Sequence, residues 1–192
     1  RGIRVRAAAQ MKTAIFILGS AILIYISRGS LRAARSHGFP RLLAWECILG
    51  LFLLNVDFWF IEPFAWNQLT AWMLLFLSLV PLAYGVHFLR TRGQPTRQRA
   101  SDPALLGFEK TTQLVTSGIY KYIRHPLYCS LLLLTWGIFF KHPDVTAFTL
   151  SLVSSVFLFF TAKMDEQECL EFFGDEYQEY MRHSKMFIPF IF

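Results

Sequence analysis

The chain has 192 residues, 54% of them apolar, with 20 phenylalanines and a formal charge of +6. That composition excludes an ordinary soluble domain, and several apolar runs approach the ~20 residues a helix needs to cross a bilayer. The basic residues sit between apolar runs and form no nucleic-acid-binding motif, so they fit the positive-inside rule and no nucleic-acid partner is expected.

Cys47, Cys129 and Cys169 are odd in number and widely spaced, so neither a disulfide framework nor a metal site is expected. The expected fold is all-α: a polytopic membrane helical bundle of about five transmembrane helices with a C-terminal cytoplasmic amphipathic helix. A single domain over 11–192 accounts for it. Oligomeric state is not legible.

In chain order, residues 1–10 precede an internal Met11 and are set aside as a non-native or disordered leader. The first span covers 11–27. Arg28, Arg32, Arg35 and Arg41 then crowd a short loop broken by Gly29, Gly38 and Pro40. The second span, 42–61, carries Glu46, Asn55 and Asp57, each costly against lipid. Glu46 is expected to snorkel or to pair with a loop arginine, and Asp57 to reach the far interface.

The loop 62–68 lacks Lys and Arg, and Trp59 and Trp66 read as a non-cytoplasmic aromatic belt. A third span, 69–89, contains Pro81, where a kink is expected. A long basic segment follows from Arg90 to Arg124, opening with a polar loop over 91–99. Spans four and five, 127–140 and 145–162, are joined by a connector short enough for an antiparallel hairpin. The fourth has only 14 residues. The tail from Lys163 repeats Cys169, Leu170, Phe173, Tyr177 and Tyr180 at helical spacing, as an amphipathic helix lying back on the bundle does. Five spans put the basic loops and the tail on the cytoplasmic side, with Lys141 the one discord.

Pro126 suits the first position of a helix, which sets Arg124 and His125 at its mouth beside free N–H groups, a favourable place for an anion. Tyr120, Tyr122 and Tyr128 lie at the same level. The hairpin should return Asp165 and Glu166 to that mouth. A zwitterionic ligand would suit the combination, and a structural Arg–Asp bridge fastening the hairpin fits it equally well.

The segments LVTSGIYKYIRHPLY (114–128) and DEQECLEFFGDEYQEY (165–180) resemble the isoprenylcysteine carboxyl methyltransferases and the related phospholipid methyltransferases. The resemblance covers about the last eighty residues, and its cofactor-binding part lies at about 105–192. It implies an integral membrane enzyme that binds S-adenosylmethionine on the cytoplasmic side and methylates a lipophilic acceptor arriving from the bilayer. The implied cofactor contacts are Gln113, Leu114, Val115, Tyr120, Arg124, His125 and Pro126, with Asp165 as acidic partner and Tyr128 and Glu166 beside them.

Three positions depart from the family pattern: Thr112 replaces a histidine, Asp165 a glutamate, and Thr161 an arginine that faces the substrate carboxylate. Thr161 and Lys163 are therefore the residues to examine for acceptor choice. No catalytic residue is singled out. Two alternatives carry different expectations: an NADPH-dependent enzyme like the sterol reductases, or an inactive membrane scaffold.

Overall fold

The structure, a computed structural model, describes residues 2–32, 36–94, 105 and 109–189, with the side chains of residues 2–5 and 32 excepted. Most of the polar loop expected over 91–99 lies outside the described residues. Seven α-helices form among them: α1 (Gly2–Ile26), α2 (Arg28–Arg32), α3 (Gly38–Asn55), α4 (Trp66–Arg92), α5 (Pro126–Phe139), α6 (Val145–Phe173) and α7 (Asp175–His183). Helices α1, α3, α4 and α6 are long and apolar enough to cross a bilayer, and α5 is apolar but shorter. The protein is an integral membrane helical bundle.

Polar groups inside the spans find partners on neighbouring helices, as they must where no water competes. Glu46 accepts from the Ser20 hydroxyl of α1 at 2.6 Å rather than from a loop arginine, and Asp57 takes Lys12 at 2.6 Å. Buried Asn55 donates to the Ile138 carbonyl at 2.8 Å, tying the end of α3 to α5. Helix α1 is continuous from Gly2, so the segment ahead of Met11 extends the first span. Pro81 is accommodated within an unbroken α4.

Two apolar clusters fill the bundle. Ile48, Leu51, Leu75, Ile138 and Ala147 pack where α3, α4, α5 and α6 meet. Ala44, Tyr128, Leu158 and Ala162 pack nearer the site, closed over by Met186 and Phe187 from the tail. Asp144 caps α6 by accepting from the Ala147 amide at 2.7 Å and starts the return leg of the hairpin.

The tail departs from expectation. No separate helix starts at Lys163. Neither Gly nor Pro interrupts the run from Ala162 to Phe173, so α6 continues straight through it. The break comes at Gly174, whose φ of 60° suits glycine, and α7 follows. Asp175 and Glu176 open α7 and Arg182 and His183 close it, each sign favourable to the helix dipole.

Helix lengths decide where the site lies. The 14 residues of α5 span ~21 Å, well short of ~30 Å of hydrocarbon. Its neighbours α4 and α6 have 27 and 29 residues. Gly85 of α4 lies against Pro126 and Leu127, and Asp165 of α6 lies beside Tyr128. Both long helices therefore run on past the mouth of α5. The recess they leave is the pocket described next.

Candidate active site

The segment before α5 is shaped by one glycine and held by the tail. Gly118 has φ of 65°, and the Phe88 ring lies against it so closely that a Cβ would stand 2.2 Å from the ring. A short 3-10 turn, Gly118–Lys121, then buries Tyr120. The next residues run extended and pair with the chain after α7. The Lys185 amide donates to the Tyr122 carbonyl at 3.0 Å, and the Arg124 and His125 amides donate to the Lys185 and Met186 carbonyls at 2.7 and 3.2 Å. The Tyr180 hydroxyl adds a 2.6 Å bond to the Tyr120 carbonyl. His125 thus reaches the α5 N-cap with its backbone fixed, and Pro126 begins the helix.

The resulting pocket holds about 710 Å³ of empty space, counted out to its open mouth. Leu114, Val115, Tyr120, Arg124, His125, Pro126, Tyr128 and Asp165 line it, together with Cys169, Phe173, Tyr177 and Tyr180. Leu89, Leu105 and Leu127 make part of its wall apolar.

The two carboxylates at positions 165 and 166 are engaged very differently. Glu166 is tied up: Arg124 Nε donates to it at 2.7 Å and Lys163 Nζ at 3.1 Å. Arg124 spends its remaining donors on the Met181 and Ser184 carbonyls. This guanidinium fastens the segment before α5, α6 and the tail together, and its bridge runs to Glu166 rather than to Asp165.

Asp165 is held loosely. Its neighbours are the Tyr128 hydroxyl at 3.3 Å, His125 Nδ1 at 3.5 Å and the Cys169 thiol at 3.8 Å. The imidazole of His125 is buried, and its Nε2 makes no good hydrogen bond, with Glu166 Oε1 3.5 Å away. Burial opposes protonation of His125, but Asp165 and Glu166 outweigh it and the pKa rises above its ordinary value. Burial raises the Tyr120 and Tyr180 phenols, so both remain neutral hydrogen-bond donors.

Eight of the ten residues expected around a cofactor thus converge on one pocket. Gln113 is exposed, and its amide donates to the Gly93 carbonyl at 3.3 Å. Glu166 stands behind the wall. Thr161 is fully buried and gives its hydroxyl to the Phe157 carbonyl of its own helix at 2.7 Å. Lys163 is committed to Glu166. Neither Thr161 nor Lys163 lines the pocket.

The N-cap and first turn of α3 supply residues that sequence reasoning left out. His37 is fully buried; its amide and Nδ1 both engage Glu168, at 2.8 and 2.6 Å. Arg41 binds Glu109, a pocket-lining residue, at 3.0 Å. One signal for them was available. Four arginines and a histidine in a short loop exceed what a topogenic charge cluster requires, and Arg41 falls at the start of the apolar run.

The family model for phospholipid methyltransferases matches residues 103–176, which carry most of the pocket wall. A relative over nearly the whole length is the "Probable protein-S-isoprenylcysteine O-methyltransferase" of Oryza sativa subsp. indica. It is 26% identical over 188 residues, 92% of this chain and 96% of the relative. The chain is thus similar to methyltransferases over residues 103–176 and, at lower identity, over nearly its whole length.

Two further relatives are similar over shorter stretches. Protein-S-isoprenylcysteine O-methyltransferase A of Arabidopsis thaliana is 32% identical over 45% of this chain and 44% of its own. Methanethiol S-methyltransferase 1 of Bradyrhizobium diazoefficiens is 32% identical over 44% of this chain. That match spans 30% of the bacterial relative's length. No solved structure matches. The similarity bears on the recess between α4, α5 and α6: residues inside the matched stretch supply most of its wall, including Asp165.

Proposed function

We propose that this membrane methyltransferase binds S-adenosylmethionine in the pocket and methylates a lipophilic acceptor that enters from the bilayer. The observation that carries the reading is Asp165. A carboxylate facing an open pocket, with no partner closer than 3.3 Å among the described residues, is poised to take a short charge-assisted bond from a ligand ammonium. Free amides at the start of α5 and the buried His125 Nε2 suit the carboxylate of the same amino-acid group. Leu114, Val115 and the buried tyrosines suit an adenosine moiety.

When bound, the cofactor supplies a methyl on a sulfonium, taken by an acceptor lone pair in one displacement that leaves a neutral thioether. No general acid is needed. The chain's part is to hold the amino-acid end at Asp165, to exclude water with Tyr120, Tyr177 and Phe173, and to orient the acceptor against the apolar wall. Of the cations lining the pocket, Arg124 is committed to Glu166 and His125 is assigned to the cofactor's own carboxylate. With Thr161 bonded within its own helix, the lining offers no bidentate clamp for an acceptor carboxylate. The acceptor is accordingly read as a lipophilic molecule with a neutral or amine nucleophile, and the basic end of the bundle as cytoplasmic.

The test is calorimetric titration of the purified protein with S-adenosylhomocysteine, then methyl transfer from labelled S-adenosylmethionine to a farnesylcysteine analogue and to lipophilic thiols, amines and phenols. Binding is expected, with Asp165→Asn weakening it by ~1.5–3 kcal/mol, about one to two decades in dissociation constant. Transfer to a neutral acceptor is expected to exceed transfer to farnesylcysteine. Absence of binding rejects the reading; preferred transfer to the farnesylcysteine carboxylate rejects the acceptor class.

A further inference from the structure

His37 lies beside Asp165 but does not line the pocket, and it falls outside the family match. One of its ring nitrogens and one carboxylate oxygen from each of Asp165 and Glu168 all lie within 4.8 Å of one another. The His37 amide and Nδ1 grip both oxygens of Glu168, and Nε2 is buried without a hydrogen-bond partner. The 2.6 Å Nδ1–Oε2 separation is that of a charge-assisted hydrogen bond, with the imidazolium itself as the cation.

Two carboxylates one helical turn apart and largely removed from water repel each other, and without a cation between them the pair takes up a proton. A protonated Asp165 would lose its attraction for an ammonium group. Burial opposes the His37 charge, yet Asp165 and Glu168 outweigh it and raise its pKa above the ordinary 6.5. His125 and Arg41 also favour the charged form of Asp165, but it is His37 that binds Glu168. Arg41 is bound to Glu109, and His125 is shared between Asp165 and Glu166.

We propose that His37 is a positioning residue of the cofactor site, the cation that keeps Asp165 and Glu168 ionised side by side so that Asp165 can receive the cofactor's ammonium group. The inference rests on the cofactor reading above and adds to it a contribution from the N-cap of α3. It also makes a distinctive demand. Neutralising His37 should be harmful while Glu168 is charged and tolerated once Glu168 is neutral.

The experiment titrates S-adenosylhomocysteine into wild type, His37→Gln and the double variant His37→Gln/Glu168→Gln, in detergent, from about pH 6 to about pH 8.5. Wild type is expected to bind with nearly constant affinity until His37 begins to lose its proton. His37→Gln should bind about tenfold more weakly near pH 6 and recover as the pH rises and the shared proton leaves. The double variant should regain most of the affinity near pH 6.

A loss in His37→Gln that is equal at every pH, or that the double variant does not reverse, overturns the proposal in favour of a purely structural role. Unchanged binding in His37→Gln overturns it as well. If His37→Gln does not fold, the double variant decides alone: near-wild-type affinity at pH 6 supports the proposal and lost affinity overturns it. Wild type that binds no S-adenosylhomocysteine rejects the cofactor reading, and this inference with it; wild-type binding beside an unaffected variant rejects this inference only.

Discussion

An ammonium group shut away from water gives up its proton more readily than one in solution, even where a tryptophan ring attracts it. Lys141 is buried at the turn between α5 and α6, 3.6 Å from the Trp72 ring centroid. Its Nζ donates to Gln68 Oε1 at 3.0 Å and to the Trp59 carbonyl at 3.4 Å. If the basic end of the bundle is cytoplasmic, this placement accounts for the one discord with the charge rule, because the lysine turns inward and is buried. Burial lowers its pKa from 10.5 to about 8. Below pH 8 both folded and unfolded chains carry the charge, and the fold bears the cost of burying it. Between about 8 and 10.5 the unfolded chain alone stays protonated, so the folded state gains stability as the pH rises. His37 and His125 act in the opposite sense, because their raised pKa values stabilise the fold most below 6.5 and that gain is lost at higher pH. Comparing thermal unfolding of wild type with Lys141→Met cancels the histidines. The variant's stability relative to wild type is expected to be greatest near pH 7 and to decline towards pH 10; a difference independent of pH contradicts the burial argument.

At the scale of the element, the turn that delivers the Arg-His-Pro segment depends on Gly118. An alanine there meets the Phe88 ring and a positive φ, the latter worth ~1–2 kcal/mol. Gly118→Ala is expected to lower both the unfolding temperature and the affinity for S-adenosylhomocysteine, with Phe88→Ala relieving the steric part only. An unaffected Gly118→Ala protein would mean that the turn does not set the mouth of α5. The helices were largely legible from hydropathy, because a membrane span needs a long apolar run and each run here is bounded by charge or a breaker. The meeting of Arg124 and His125 with Asp165 and Glu166 was legible too, since a short connector forces an antiparallel return. The extent of α6 was not: charge between Lys163 and Glu171 looks like the end of a span, whereas backbone helicity ends only at Gly174. The roles of His37 and Arg41 were invisible for a different reason. Their partners Glu168 and Glu109 are 131 and 68 residues away, and nothing local encodes that pairing.

For the whole molecule, the loop arginines, the pocket and the tail gather at one end of the bundle, while Trp66 and the Lys141 turn occupy the other. If the basic end is cytoplasmic, cysteines placed at Trp66 and at Lys121 in a cysteine-free background should be labelled by an impermeant reagent from opposite sides of sealed vesicles. Labelling of both from one side would contradict the arrangement of spans. The extended pairing of the tail with residues 122–125 has a consequence for turnover. The same few amides that seat the Arg-His-Pro segment also dock the tail, and Tyr177 and Tyr180 of α7 form part of the pocket wall. Opening the pocket through this side therefore means peeling α7 away, and a bound ligand that favours the closed arrangement opposes the peeling by its own binding free energy. A spent cofactor leaving by that route would have a residence time governed by how often the tail lets go, so strengthening the tail's grip would slow product release before it affected methyl transfer itself.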